Sequence, residues 1–190
     1  MDDSQLIDAC KKRDRNAQRV LYERYAPVMM GVCLRYSKEE QAARDLLHDG
    51  FIRIFSQIDS FSGKGSFEGW LKRIFVNMAL ENYRNDKKKY RFMEEYGYLA
   101  AGDFDFEADD PVNIEEVSME KVLEMIQSLP QGYRTVFNLF VFENISHRKI
   151  GEMLGINEAA SRSQFCRAKA ILRKKISAFL NHKERKCNEQ

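Results

Sequence analysis

Two small all-α domains on an acidic tether are what this sequence predicts, and three observations carry the expectation. Pro and Gly are scarce, at 3 and 10 of 190 residues, in a chain rich in Leu, Ile, Glu, Lys and Arg. Apolar residues recur at steps of three and four on both sides of residues 94–116, where no period survives. Charge is segregated although the net value is only +2. Arg84 to Arg91 carries +4, Glu94 to Glu116 has nine acids and no base, and Asn144 to Lys186 has eleven bases against three acids. Two basic blocks parted by an acidic one suggest two polyanion-binding modules, with boundaries expected at 1–93, 94–116 and 117–183 and a tail at 184–190. Any one such run alone is more simply a solvated face.

In the first half, Leu6–Arg13 and Ala17–Tyr36 read as helices, the second opened by Asn16 as N-cap. Ser37 and Glu40 have capping-box spacing before a third helix, whose stripe is Leu47, Phe51, Ile54, Phe55 and Ile58. Residues 59–66 read as a loop. Ser66 then caps a long helix, Phe67 to Arg91, with Phe67, Leu71, Ile74 and Met78 as its apolar face.

In the second half, periodicity resumes near Val117 with Val122, Met125, Ile126 and Leu129. Ser128 and Pro130 are expected to start a helix carrying Tyr133, Val136, Phe137, Phe140 and Val141. A short helix His147–Leu154, a turn at Gly155-Ile156-Asn157 and a basic helix from Glu158 to about Leu180 make a helix-turn-helix candidate.

Other chemistries find little support. No apolar run reaches the roughly 20 residues that cross a bilayer, and the acidic, polar N-terminus does not read as a signal peptide. The scattered Cys10, Cys33, Cys166 and Cys187 form no CxxC pair, which argues against zinc or a disulfide framework and for a reducing cytoplasm. Gly63-Lys64-Gly65-Ser66 lacks the phosphate-loop spacing. In the calcium-loop-like run from Asp103, Ala108 replaces the needed Gly and Ile114 the bidentate Glu. His48, His147 and His182 are too far apart for metal-ligand spacing within one helix and suit surface or capping roles. No catalytic constellation emerges, and neither an enzyme nor a cofactor is expected.

Two surfaces carry a nucleic-acid signal. Trp70, Arg73, Asn77 and Arg84, spaced +3, +4 and +7, share a face of the long helix. They combine a stacking plate, a base-edge amide and cations, a set suited to unpaired bases. The preceding loop could close over an extruded base. Spacing alone favours the plainer alternative, with Trp70 in the core and the arginines solvated. On the basic helix, Phe165, Ala168 and Leu172 form an inward stripe, and Arg162, Cys166, Lys169 and Arg173 an outward one with Ser163, Arg167 and Lys174 beside it. Arg162 and Ser163 can reach base edges, while Arg167, Lys169, Arg173 and Lys174 suit phosphates. The alternative is a basic amphipathic helix packed on a partner.

In order and spacing, four stretches resemble the extracytoplasmic-function (ECF) group of bacterial RNA polymerase sigma factors. They are Asp45-Leu-Leu-His48-Asp49-Gly-Phe51 with Ile58-Asp59-Ser60-Phe61; Ser66-Phe67-Glu-Gly-Trp70-Leu71-Lys-Arg73-Ile74-Phe-Val-Asn77 with Asn82-Tyr83-Arg84; Ser128-Leu129-Pro130-Gln-Gly-Tyr133-Arg134-Thr-Val136-Phe137; and Ile150-Gly-Glu-Met-Leu154-Gly155-Ile156 with Arg162-Ser163-Gln164 and Arg167-Ala168-Lys169. The resemblance implies a first half corresponding to region 2, which grips polymerase and melts the minus-ten element. Asp45, His48, Asp49 and Arg53 would meet the clamp. Ser62, Gly63, Lys64, Gly65 and Ser66, with Asn77, would hold a flipped non-template base, and Trp70, Arg73 and Arg84 would line the melted strand. The second half would be region 4, reading the minus-thirty-five duplex with Arg162, Ser163, Cys166 and Arg167. Implied partners are core RNA polymerase (clamp helices of beta prime, flap of beta), promoter DNA and an anti-sigma factor. The acidic linker would thread the polymerase's channels. Departures are His48 where the family usually has Gln, Lys149 where it has Glu, and Ala160 where it has Thr. A stand-alone helix-turn-helix regulator explains residues 117–180 only, and a protein-binding adaptor leaves the basic helix's charge unused.

Overall fold

A computed structural model of the chain describes residues 2–90 and 117–188, and among them every regular element is helical. The elements are α1 (Asp3–Lys11), α2 (Arg15–Tyr36), α3 (Glu40–Gln57) with a 3-10 turn at Ile58–Ser60, α4 (Phe67–Tyr90), α5 (Met119–Gln127), α6 (Gln131–Val141), α7 (His147–Leu154) and α8 (Glu158–Asn188). The chain forms two compact units, Met1–Asn82 and Tyr83–Gln190. The acidic stretch 94–116 lies outside the described residues. Among the described residues no helix is long and apolar enough to cross a membrane.

The first unit packs α1–α3 and the start of α4 around Leu6, Leu21, Met29, Ile54, Ile58, Leu71, Phe75 and Leu80, all fully buried. Its helix starts differ from expectation where side-chain oxygens decide them. Asp2 opens α1 in a reciprocal capping box with Gln5, so the helix begins before Leu6; it also ends at Lys11, before Arg13, which is left-handed at φ 63°. Asp14, not Asn16, caps α2, accepting from the Ala17 amide at 2.8 Å. The Ser37–Glu40 capping box does not form. Ser37 is buried and closes α2 through its own amide to the Cys33 carbonyl, and α3 starts at Glu40 with no side-chain cap. The expected cap of α4 does form, Ser66 Oγ accepting from the Gly69 amide at 2.9 Å. On α4 the innermost residue is Phe75, while Ile74 is half-buried. Phe75 lies so near Gly50 of α3 that a Cβ there would sit 1.9 Å from its ring. Cys10 and Cys33 are buried free thiols, and burial pushes Cys33 up to about 12.

The second unit closes Val117, Met125, Ile126 and Leu129 onto Ala168, Leu172 and Ile176 of α8. Ser118 caps α5. Ser128 ends α5 and does not start α6, since its hydroxyl donates back to the Met125 carbonyl at 2.6 Å; Pro130 precedes α6. Arg134 is buried and donates to the carbonyls of Gln127 (2.7 Å) and Leu129 (3.4 Å). A cation there satisfies the orphan acceptors at the end of α5 and complements its dipole. Ser146 caps α7 although Lys149 offers no return bond; Lys149 pairs instead with Glu152. Gly155 ends α7 in the left-handed region (φ 67°, ψ 38°), which permits the reversal. Asn157 then accepts from the Ala160 amide at 2.7 Å to open α8, which runs past the expected Leu180 to Asn188.

Helix propensity alone favours alanine over glycine by about 1 kcal/mol. At Gly50 the fully buried Phe75 ring opposes it, and forced overpacking costs about 1–3 kcal/mol. Gly50→Ala is therefore expected to lower the urea midpoint of the first unit without changing the slope, while Gly31→Ala on α2, with open space around the new methyl, raises the midpoint through a stability gain of about 0.5–1 kcal/mol. Equal midpoints for the two variants would refute the tight α3–α4 approach.

Candidate nucleic-acid interface

The loop between the 3-10 turn and α4 is exposed from Ser62 to Ser66, with Gly63 and Gly65 at φ 75° and 85°. Its ends are anchored. Phe61 and Phe67 are buried with ring centroids 5.0 Å apart, and Trp70 packs on both, at 5.5 and 5.6 Å. Trp70 thus meets both expectations in part, being half-buried, stacked on the core aromatics and partly accessible. Arg73 and Asn77 are exposed beyond it. An aromatic surface flanked by a cation and an amide can stack and hydrogen-bond an unpaired base. Arg84, further along α4, is exposed, and its guanidinium donates to the Met153 carbonyl (2.8 and 3.2 Å).

On α3, Asp45, His48 and Asp49 share an exposed face. Ile52, 56% exposed, stands among them and was not expected there. Arg53 lies at the edge, half-buried and paired with Glu81 of α4 at 2.8 Å. An exposed isoleucine ringed by carboxylates suits a protein partner better than a polyanion.

On α8, Arg162 is exposed and held by Glu158 one turn earlier, which keeps the Glu158 carboxyl below its usual range. A surface pair of this kind contributes about 0–1 kcal/mol and yields readily to a better acceptor. Ser163 and Cys166 are half-exposed, and Lys174 exposed. Arg167 leans back, its guanidinium donating to the Tyr133 hydroxyl at 3.3 Å. Lys169 sits 5.8 Å from the Phe165 ring centre. Lys169 and Arg173 also edge an apolar groove of about 260 Å³ formed with Val122, Met125, Phe137 and Ile176. Phe165 is half-buried, packed on Phe137 and on Phe140, while Ser161 and Gln164 are buried beside the expected inward stripe. His147, expected at the surface, is half-buried, stacked on Phe140 at 4.4 Å with Nδ1 3.0 Å from the Ser161 hydroxyl. Burial and the nearby Arg162 lower its pKa, against the opposing pull of Glu158.

Three features escaped the sequence: Phe61 as an anchor, Ile52, and the polar side of α1. Lys11 of α1 donates to the Phe61 carbonyl at 3.1 Å, and Arg13 pairs with Asp59 at 2.7 Å. These contacts span about fifty residues, so no local pattern announces them. Among the described residues no cluster of three or more His, Cys, Asp and Glu could hold a metal.

Comparison with known proteins agrees with this arrangement. The family model for sigma-70 region 2 matches residues 21–89, and that for sigma-70 region 4 matches residues 119–172. The chain is 28% identical over 186 residues to the ECF RNA polymerase sigma-E factor of Haemophilus influenzae, covering 94% of this chain and 97% of that protein. It is 28% identical over 180 residues to the ECF RNA polymerase sigma factor SigW of Bacillus subtilis, covering 90% and 94%. In fold it is similar to the sigma factor RpoE of Bartonella quintana, solved with the anti-sigma factor NepR, at TM-score 0.50 and 16% identity over 84% of this chain and 96% of that one. With every described element helical, an anchored loop beside a partly accessible aromatic and a helix-turn-helix in their expected order, the chain belongs to the sigma-70 family of RNA polymerase sigma factors, in its extracytoplasmic-function group.

Proposed function

We propose that this transcription initiation factor directs core RNA polymerase to promoters in the cytoplasm through three separate surfaces. Residues 1–93 serve as the minus-ten unit, 117–183 as the minus-thirty-five unit and 94–116 as the tether. Asp45, His48, Asp49 and Arg53, with Ile52 at their centre, meet the polymerase clamp. The loop Ser62–Ser66 with Trp70, Arg73 and Asn77 takes the unpaired strand. Arg162, Ser163 and Cys166 meet base edges of the duplex, and Arg167, Lys169, Arg173 and Lys174 its phosphates. The apolar groove beside Lys169 and Arg173 suits the flap of beta. An anti-sigma factor would act by covering one of these faces.

The observation that carries the reading is the exposed loop anchored between Phe61 and Phe67 beside Trp70, with Asn77 exposed further along α4. A stand-alone helix-turn-helix regulator has no use for it. Mobility-shift assays separate the two: strong promoter binding should need core polymerase, and equally strong binding by the free chain would favour the regulator.

Opening duplex costs a few kcal/mol per unstacked base, so contacts present only in the open state must offset it. Asn77 is exposed and makes no contact that the fold needs. Asn77→Ala holoenzyme should show a large initiation defect on duplex template and a smaller one on a template pre-melted at minus-ten. Wild-type initiation on duplex would remove Asn77 from the mechanism.

Losing a bidentate base contact costs about 1–3 kcal/mol at one position, whereas losing a phosphate contact weakens all sequences alike and flattens the salt dependence. Arg162→Ala should follow the first pattern and Lys174→Ala the second, on a panel of single-base minus-thirty-five variants. Identical profiles for the two would reject this division of roles.

A further inference from the structure

His147 is held more firmly than its place at the start of α7 requires. Its ring lies on Phe140, with centroids 4.4 Å and planes 9° apart, and tilts against Phe165 at 5.5 Å. Nδ1 is 3.0 Å from the hydroxyl of Ser161, which is fully buried. A hydroxyl both donates and accepts, so this contact survives whether the imidazole is neutral or protonated. The ring can therefore change its charge without leaving its seat.

That seat adjoins the groups on which Arg162 depends. Ser161 precedes Arg162 and lies one turn after Glu158, so the imidazole, Glu158 and Arg162 meet at the first turn of α8. Arg162 Nε donates to the Glu158 carboxylate at 3.2 Å. The charges facing the imidazole are these two from α8, while Phe140 of α6 and Phe165 bring none. Arg148, its neighbour on α7, acts on Glu158. Burial, and then Arg162, disfavour the imidazolium, whereas Glu158 favours it.

Reading a base changes this balance. Arg162 must leave Glu158 to reach a base edge, and its departure strands a carboxylate at the start of the recognition helix. An uncompensated carboxylate facing a polyanion opposes binding. We propose that His147 is the standby partner of Glu158: when Arg162 turns to a base, the imidazole takes a proton from solvent and compensates the carboxylate, which couples minus-thirty-five recognition to proton uptake. His147 is thus a positioning residue, and its role rests on the base-reading role of Arg162. The complex binds more protons than the free protein, so affinity for the minus-thirty-five element rises as pH falls through the imidazole range.

The test titrates holoenzyme, assembled with the full chain, against a minus-thirty-five duplex at constant ionic strength from about pH 8 to about pH 6. Over that range the wild type should gain about three- to fivefold in affinity beyond His147→Phe, within the limit of about tenfold per unit by which binding raises a pKa. The phenylalanine keeps the ring stack and cannot titrate. His48 and His182 are common to both proteins, so the difference isolates His147. Glu158→Gln, which leaves no carboxylate to compensate, should lose the excess gain as well. NMR of the full free chain gives a second measure: the His147 ring should titrate at higher pH in Arg162→Ala than in the wild type, and at lower pH in Glu158→Gln. Equal pH slopes for wild type and His147→Phe, or a ring titration that neither substitution moves, would overturn the coupling. The wider reading fails differently. Base selectivity left intact in Arg162→Ala sinks the role of Arg162 itself, whereas selectivity lost in Arg162→Ala with equal slopes for wild type and His147→Phe sinks the coupling alone.

Discussion

The packing of Phe61 against Phe67 is the contact on which the exposed loop between the 3-10 turn and α4 depends. These rings stand at the two ends of a short glycine-containing loop, and both are buried in the core of the first unit. Burying each aromatic of this size contributes about 1.5–3 kcal/mol, and the two together offset the chain entropy lost in closing the short loop between them. The residues between them have nowhere to go but outward. Trp70 completes the stack from the next turn of α4, which leaves part of its ring accessible beside the loop. Stability and exposure are thus two results of one arrangement.

The helix-turn-helix unit achieves exposure by different means. Its turn is local, made by a left-handed Gly155 and an Asn157 cap within three residues. Burial of Ala168, Leu172 and Ile176 then fixes the rotation of α8 about its axis and presents Arg162, Ser163 and Cys166 on the side away from the core. Arg162 there rests in a weak surface pair with Glu158, so it reaches a partner at little cost. The buried cation is elsewhere. Among the described residues Arg134 pairs with no carboxylate and is held by backbone carbonyls at the end of α5, a structural use of charge that the basic character of the unit would not disclose.

Much of this was legible in residue order. Helix type followed from apolar periodicity, and the start at Ser66 from a side chain that accepts from a backbone amide. The sequence reading failed where several candidate caps competed. Asp14 and Asn16 both offer an acceptor, and Asp14 prevails because Arg13 reverses the chain just before it. Ser37 lost its capping role to burial at the end of α2, and Ser128 bonded backward to α5 where a forward cap was expected. Choices of this kind are settled by which backbone donor or acceptor remains unsatisfied once the helices have packed.

What the sequence by itself determined is the identity and order of the helices, the segregation of charge and the family to which the chain belongs, because periodicity, caps and motif spacing act over a few residues. Only the tertiary structure decided which candidate residues share a surface. Arg84 is engaged by the Met153 carbonyl, and Lys11 and Asp8, about fifty residues from the loop, border it. Spacing along one helix reports a direction only. Whether a side chain at that direction meets solvent, a carbonyl or a cavity depends on helices that arrive from elsewhere in the chain.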